Sequence, residues 1–333
     1  MTVYDLGSID MEAANSSHVL VVDLVDGAQR VLDVGCSTGY LGKELVNRGC
    51  TVDGVEIDPE AAEVARGHLR TVTVLDLDDD DLAEALGEER YDRIIFADVL
   101  EHLMNPLRAL EQAKRLLAPG GQIVISVPNV SHGALRLGLM QGRWEYRETG
   151  LLDRTHIRFF TRATIVELVH SAGLSVTRLR STTLDPLASE IELDREKLPA
   201  ALVSWVRTQE EAFNYQYVLL VAPGDDTHVP PVEPAEVVPT MDEIHHGTDA
   251  LEEIGAVQAE RNALRRKVLT LRDHAIGAEA ELGQARRDRA RAERERDAAL
   301  HDVEVLRASA SWRVGQAAVA PLSKVRRVLR GRA

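Results

Sequence analysis

The chain has 333 residues, of which 44% are hydrophobic and 28% charged, and its 54 acidic against 39 basic side chains give a net charge of −15. That balance suits a folded soluble protein, and no apolar run reaches the ~18 residues that a membrane-spanning helix needs, which speaks against a transmembrane chain. The charge is uneven: residues 261–333 hold 18 Lys/Arg against 9 Asp/Glu, which leaves −24 on the body before them and speaks against nucleic acid as a partner, because phosphate contacts need a basic footprint.

The first ten residues lack the basic and apolar regions of a secretory leader. Cys36 and Cys50 are the only cysteines and fall into no metal-ligand spacing. A reduced, cytoplasmic setting is expected, and no metal site is predicted. Apolar, β-branched runs follow at 30–34, 51–57, 72–75, 93–97, 122–127, 174–179 and 215–221. Helical patterns at 40–48, 60–69, 81–86 and 106–117 separate the first five. Strands alternating with helices predict an α/β fold with a parallel sheet covered on both faces. Between the last two strands only the charged stretch 189–207 offers a crossover helix, so an antiparallel last strand is expected.

Within the first unit, Val31-Leu32-Asp33-Val34-Gly35-Cys36-Ser37-Thr38-Gly39 runs from a buried strand into a turn that opens a helix at Tyr40. Glycines at 35 and 39 allow positive φ and a close ligand approach. A dinucleotide fingerprint would want glycine at 37 and 40 as well; Ser37 and Tyr40 stand there, which disfavours a nicotinamide oxidoreductase. The second strand ends at Glu56, placed to accept both ribose hydroxyls of a nucleoside. Asp58 reads as the cap of the next helix, with Pro59 in its first turn. The third strand delivers Asp76 and Leu77, and the 78–81 acidic run reads as a loop and helix start.

Together with Gly54-Val55-Glu56-Ile57-Asp58, Asp98-Val99-Leu100-Glu101-His102-Leu103 and Leu117-Ala118-Pro119-Gly120-Gly121, this turn resembles the class I S-adenosylmethionine (AdoMet)-dependent methyltransferases, and among them the branch with the ubiquinone-biosynthesis-type O-methyltransferases. The resemblance covers residues 1–222 and implies a Rossmann-like seven-stranded sheet with an antiparallel last strand. It implies AdoMet as cofactor, held by Asp33, Gly35, Cys36, Ser37 and Gly39, by Glu56 and Ile57 at the ribose, by Asp76 and Leu77 at the adenine, and by Asp98 and Val99 beside the methionine. Ser37 departs from the family, which often has glycine there. His18 is expected in an N-terminal helix over the cofactor.

Methyl transfer to a hydroxyl calls for a base beside the fourth and fifth strands. His132, after Pro128-Asn129-Val130-Ser131, and His156, in Asp153-Arg154-Thr155-His156-Ile157-Arg158-Phe159-Phe160-Thr161, are the candidates. The alternative for His156 is a bystander in an ion-pair network of Asp153, Arg154 and Arg158; His102 reads as locally orienting. The 153–161 element resembles a sub-branch found with bacterial surface-polysaccharide genes, which implies a saccharide or related hydroxylated acceptor. Arg143, Trp144, Tyr146 and Arg158 are its expected contacts, with core packing an equal reading of Trp144 and Tyr146. Small-molecule N- or C-methylation and an AdoMet-binding scaffold are the competing functions.

Beyond the catalytic unit, 223–248 reads as a Pro-rich acidic linker. Over 249–310 the seam Leu264, Val268, Leu271, Ala275, Ala278, Leu282 and onward to Leu306 steps by four and three, which predicts a coiled coil and homo-oligomers, with a lone solvated helix the alternative because alanines and two arginines weaken its middle. The basic, amphipathic 311–333 tail reads equally as a peripheral contact with an anionic membrane and as a basic disordered end.

Overall fold

The computed structural model describes residues 9–25 and 27–236 and, singly, residues 263, 264, 267 and 296. Two compact units divide the chain, Met1–Lys267 and Val268–Ala333; the sheet and its helices belong to the first. Apart from the four single positions, the heptad segment 249–310 lies outside the described residues, as do the basic 311–333 tail and linker residues 237–248.

The order is α1 (Ser17–Val25), β1 (Arg30–Val34), α2 (Tyr40–Asn47), β2 (Thr51–Glu56), α3 (Pro59–Ala65), β3 (Thr71–Val74), α4 (Leu82–Leu86), β4 (Tyr91–Ala97), α5 (Pro106–Arg115), β5 (Leu117–Pro128), α6 (Gly133–Met140), α7 (Arg162–Ser171), β6 (Leu174–Thr183), α8 (Ala200–Arg207), β7 (Asn214–Pro223) and β8 (Glu233–Pro234). They build one mixed sheet in the order β3-β2-β1-β4-β5-β7-β6-β8. The first five strands are parallel neighbours, whereas β7 runs antiparallel between β5 and β6. The expected antiparallel strand is present, and the sheet has eight strands rather than seven.

The extra strand comes from the segment read as linker. Glu233 and Pro234 pair in parallel with Arg180 and Ser181, and the Ala235 N–H donates to the Ser181 carbonyl at 2.8 Å. Val229 and Val232 pack against the core on the way. Prolines suit this position because an edge strand need not donate outward. The sheet therefore takes in residues beyond 222, with 233–235 laid along β6.

Two apolar layers sandwich the sheet. Leu20, Val21, Leu24, Leu41, Leu45 and Ala62 bring α1, α2 and α3 onto one face, and Leu82, Ala109, Leu110, Ile165 and Val169 bring α4, α5 and α7 onto the other. Strands buried on both sides run largely apolar, as in Val31, Leu32 and Val34 of β1 and Ile94, Ile95, Phe96 and Ala97 of β4. A smaller cap, with Leu137, Leu187, Val203 and Val206 at its core, joins α6 to α8. No helix among the described residues is long and apolar enough to cross a membrane.

Candidate active site

The chain reverses at the carboxyl end of β1, where three residues in a row of five adopt left-handed backbone: Gly35 (φ 74°), Ser37 (φ 50°) and Gly39 (φ 81°). A Cβ on Gly35 would stand 2.6 Å from Val99 Cγ2, and one on Gly39 would stand 3.1 Å from the Ala65 backbone. Glycine is required at both, for approach as well as for φ. Ser37 occupies a glycine-like conformation without being glycine, which costs roughly 1–2 kcal/mol. Its N–H donates to Glu56 Oε2 at 2.7 Å, and its buried hydroxyl has no partner.

Glu56 ends β2. Its Oε1 accepts the Asp58 N–H at 3.0 Å, so one carboxylate ties the β1 turn to the β2 turn. A carboxylate offers about four acceptor positions, and two remain for ribose hydroxyls. Asp58 caps α3 by accepting the Glu60 N–H at 2.9 Å, with Pro59 in the first turn, as expected. Ile57 is 61% exposed and offers an apolar surface beside Glu56. Leu77 is buried. Asp76 closes the post-β3 turn by accepting the Asp78 N–H, while Asp78 ties down the Met104 and Asn105 N–H groups and Asp81 caps α4. The acidic run is a loop and helix start.

Two cofactor-side residues sit deeper than the resemblance implies. The Cys36 side chain lies in the apolar layer against Gly54, with its thiol pushed up by burial, so only its backbone faces the turn. Asp33 is only 2% exposed, it accepts the Gly42 N–H, and one carboxylate oxygen has no partner. Burial, then the neighbouring Glu56 charge, pushes its carboxyl up to about 7. An unfolded aspartate ionises near 4, so between about pH 4 and 7 the folded state binds the extra proton. Stability contributed by Asp33 therefore falls as pH rises through that window and is lowest above it. Asp33→Asn is expected to raise the unfolding temperature clearly at pH 8 and little at pH 5. Thermal unfolding at the two pH values checks this; an equal gap at both would contradict it.

Asp98 follows β4 in left-handed backbone (φ 58°). Its Oδ1 accepts Ser126 Oγ from β5 at 3.0 Å and Gln216 Nε2 from β7. His18, in α1 as expected, lies close enough for the Asp98 charge to act on it and meets Tyr40 Oη at 3.0 Å. The exposed Gly35 at the head of the turn, an orphaned buried Asp33 oxygen and the Glu56 and Asp98 carboxylates suit a nucleoside that carries positive charge. AdoMet fits that description.

Three residues on, Glu101 is 1% exposed and neither of its carboxyl oxygens has a hydrogen-bond partner. Burial, then the Asp98 charge, raises its pKa well above the usual carboxylate range. Its backbone carbonyl accepts the N–H groups of Ile157 and Arg158, docking the 153–161 element against the 3-10 turn Leu100–His102. His156 thereby arrives 4.0 Å from Glu101 Oε1 and edge-on to His102, with ring centroids 4.8 Å apart. Burial, then His102, lowers the His156 pKa, and one ring nitrogen donates to the Leu151 carbonyl. His102 Nδ1 donates to the Thr155 carbonyl at 3.2 Å. One ligand atom from each of Glu101, His102 and His156 lies within 4.8 Å of the others, a set that could hold a divalent cation with each imidazole oriented by its second nitrogen. Residue spacing missed it because His156 comes from a distant loop.

His132 is not available as a base. It is fully buried at the N-cap of α6, where Nε2 donates to the Leu184 carbonyl at 2.8 Å and Nδ1 accepts the Ala134 N–H at 3.3 Å. Burial pushes its pKa down to about 4. Both nitrogens are committed to holding α6. Among the expected acceptor contacts, Trp144 packs edge-on against Phe159 at 5.5 Å in an apolar cluster with Leu135, Leu151 and Leu152, so core packing explains it. Arg143 reaches the Glu192 carbonyl at 3.4 Å and Arg158 the Met104 carbonyl, while Tyr146 is 55% exposed. Arg154 pairs with Glu148 rather than within its own element.

Residues 16–179 match the family model described as methyltransferase domain. Among curated relatives, the ubiquinone biosynthesis O-methyltransferase of Cereibacter sphaeroides is 28% identical over 163 residues, which cover 48% of this chain and 65% of the relative, just under two thirds of its length. The enzyme of the same name from Aeromonas salmonicida is 26% identical over 184 residues, 54% of this chain and 77% of the relative. Among solved structures, magnesium protoporphyrin IX methyltransferase from Synechocystis with bound S-adenosylhomocysteine aligns with a TM-score of 0.43 and 18% identity, covering 66% of this chain and 90% of that one.

Proposed function

We propose that this chain, whose residues 16–179 match a methyltransferase domain, uses AdoMet to methylate a hydroxyl oxygen of a saccharide or a related hydroxylated metabolite. Bound against the 35–39 turn, AdoMet would supply an electrophilic methyl group on a sulfonium. Glu56 holds the ribose, and the 35–39 turn and Asp98 hold the methionine end. Docking of the 153–161 element on Glu101 brings His156 to the same end of the sheet, where its free ring nitrogen takes the acceptor proton. The observation that carries the reading is the buried Glu101 carboxyl, without a hydrogen-bond partner and flanked by His102 and His156 next to Asp98. A core has no reason to keep such a group, whose burial without a partner costs stability. The relatives' names, O-methyltransferases, support oxygen as the atom methylated, and the exposed Tyr146 ring offers a face for a sugar.

The Glu101, His102 and His156 geometry also favours a second reading, in which a divalent cation held by these three lowers the pKa of the acceptor hydroxyl. Label transfer from methyl-labelled AdoMet to a panel of glycans, hydroxylated metabolites and their amino analogues tests the proposal. Label on hydroxylated acceptors is expected; label on the amino analogues alone would overturn it. Transfer that survives exhaustive chelation assigns proton removal to His156, whereas loss restored by Mg²⁺ or Mn²⁺ assigns the cluster to a cation. The same proposal has 249–310 assembling copies of the chain and 311–333 meeting an anionic surface in the cytoplasm.

A further inference from the structure

Asp98 is held from a strand that enters the fold 118 residues later. Its Oδ1 takes two donors, Ser126 Oγ and Gln216 Nε2, and Gln216 Nε2 also lies 2.9 Å from Ser126 Oγ. The backbone is fixed as well, since the Asp98 N–H donates to the Ser126 carbonyl at 3.1 Å. Chemistry settles which way the Gln216 amide faces: an ionised carboxylate only accepts, so the nitrogen must point at Asp98 and the oxygen away. Left-handed, non-glycine backbone persists only where its surroundings impose it. Here they saturate Oδ1 and leave Oδ2, which has no hydrogen-bond partner among the described residues and is not sealed from solvent.

We propose that Gln216 is a positioning residue for the cofactor: its amide locks one oxygen of Asp98 so that the other faces the methionine end of AdoMet. The inference rests on the AdoMet reading of the crevice. The contact is possible because β7 lies beside β5, so that Gln216 reaches across Ser126 to the end of β4. Nothing in the strand's sequence marks Gln216, which sits half-buried between Tyr215 and Tyr217.

Calorimetry with AdoMet and with S-adenosylhomocysteine at pH 5.5 and 8, on the full chain, tests it. Gln216→Leu removes the donor and is expected to weaken both ligands about five- to tenfold at either pH. Gln216→Glu keeps the shape but replaces the donor with an acid, which donates to Asp98 only when the two carboxyls share a proton. Its AdoMet affinity is expected within about twofold of wild type at pH 5.5 and more than tenfold weaker at pH 8. A purely structural role would not produce that pH-dependent rescue. Wild-type affinity in Gln216→Leu, or a wild-type pH ratio in Gln216→Glu, overturns the proposal; should Gln216→Leu fail to fold, the near-isosteric Gln216→Glu decides alone. Failure of the wild-type chain to bind AdoMet at either pH would instead sink the cofactor reading.

Discussion

Glu56→Ala is expected to weaken AdoMet about a hundredfold or more, with an equal loss for S-adenosylhomocysteine. Hydrogen bonds to a charged acceptor contribute about 1.5–3 kcal/mol each, and the ribose offers two. Two such bonds correspond to a factor of about 10²–10⁴. The loss does not stop at the ligand, because the Ser37 and Asp58 N–H groups that Glu56 now pairs would be left without a side-chain partner. Glu56→Gln should fall between, since its NH₂ must face one of those two N–H groups and repel it. The ribose is common to both ligands, so equal losses place Glu56 on a part they share, away from the sulfonium methyl. Titration calorimetry gives the comparison, and a loss below about threefold would remove Glu56 from the site.

His156→Ala is expected to cut kcat by about 10²–10⁴, the usual contribution of a positioned acid or base, while AdoMet affinity changes less than twofold. The imidazole is held by Leu151 and faces Glu101 rather than any residue of the β1 turn, so cofactor affinity should be indifferent to it. His132→Ala should behave in the opposite way. It strands the Leu184 carbonyl and the Ala134 N–H, at about 1–3 kcal/mol each, so the unfolding temperature should drop while turnover per folded molecule remains. Steady-state kinetics paired with thermal unfolding separates the two histidines. A full rate in His156→Ala would remove it from the chemistry.

The alternation of apolar runs with helical spacing made the parallel half of the sheet legible, because strands buried on both faces leave few polar positions. The antiparallel β7 was legible because the charged stretch between the last two strands offers only the short helix α8 for a crossover. β8 was not, since a two-residue strand with proline in it has the composition of a linker. On the cofactor side, Glu56 and Asp58 were readable because the end of β2 fixes what each can reach. The acceptor side was harder. A histidine just past a strand reads as a reactive group, yet His132 caps α6; the small residues Gly133 and Ala134 after it were the available signal. Glu101 reads as a surface charge because most glutamates are, and its burial follows only from docking of the 153–161 element. Ser37 was noticed as a departure, and its positive φ shows that the turn kept the glycine shape while the side chain changed.

The pairing of Glu233 and Pro234 with β6 bears on how the catalytic half should be produced alone. A version trimmed at 223, where the composition shifts, would bare the outer ladder of the hairpin, including the Ser181 carbonyl that Ala235 now satisfies. Open ladders recruit other chains, so self-association of such a fragment would say nothing about the heptads downstream. Cutting after 236 keeps that border shut, and only then does the mass of the fragment in solution report on what the heptads contribute.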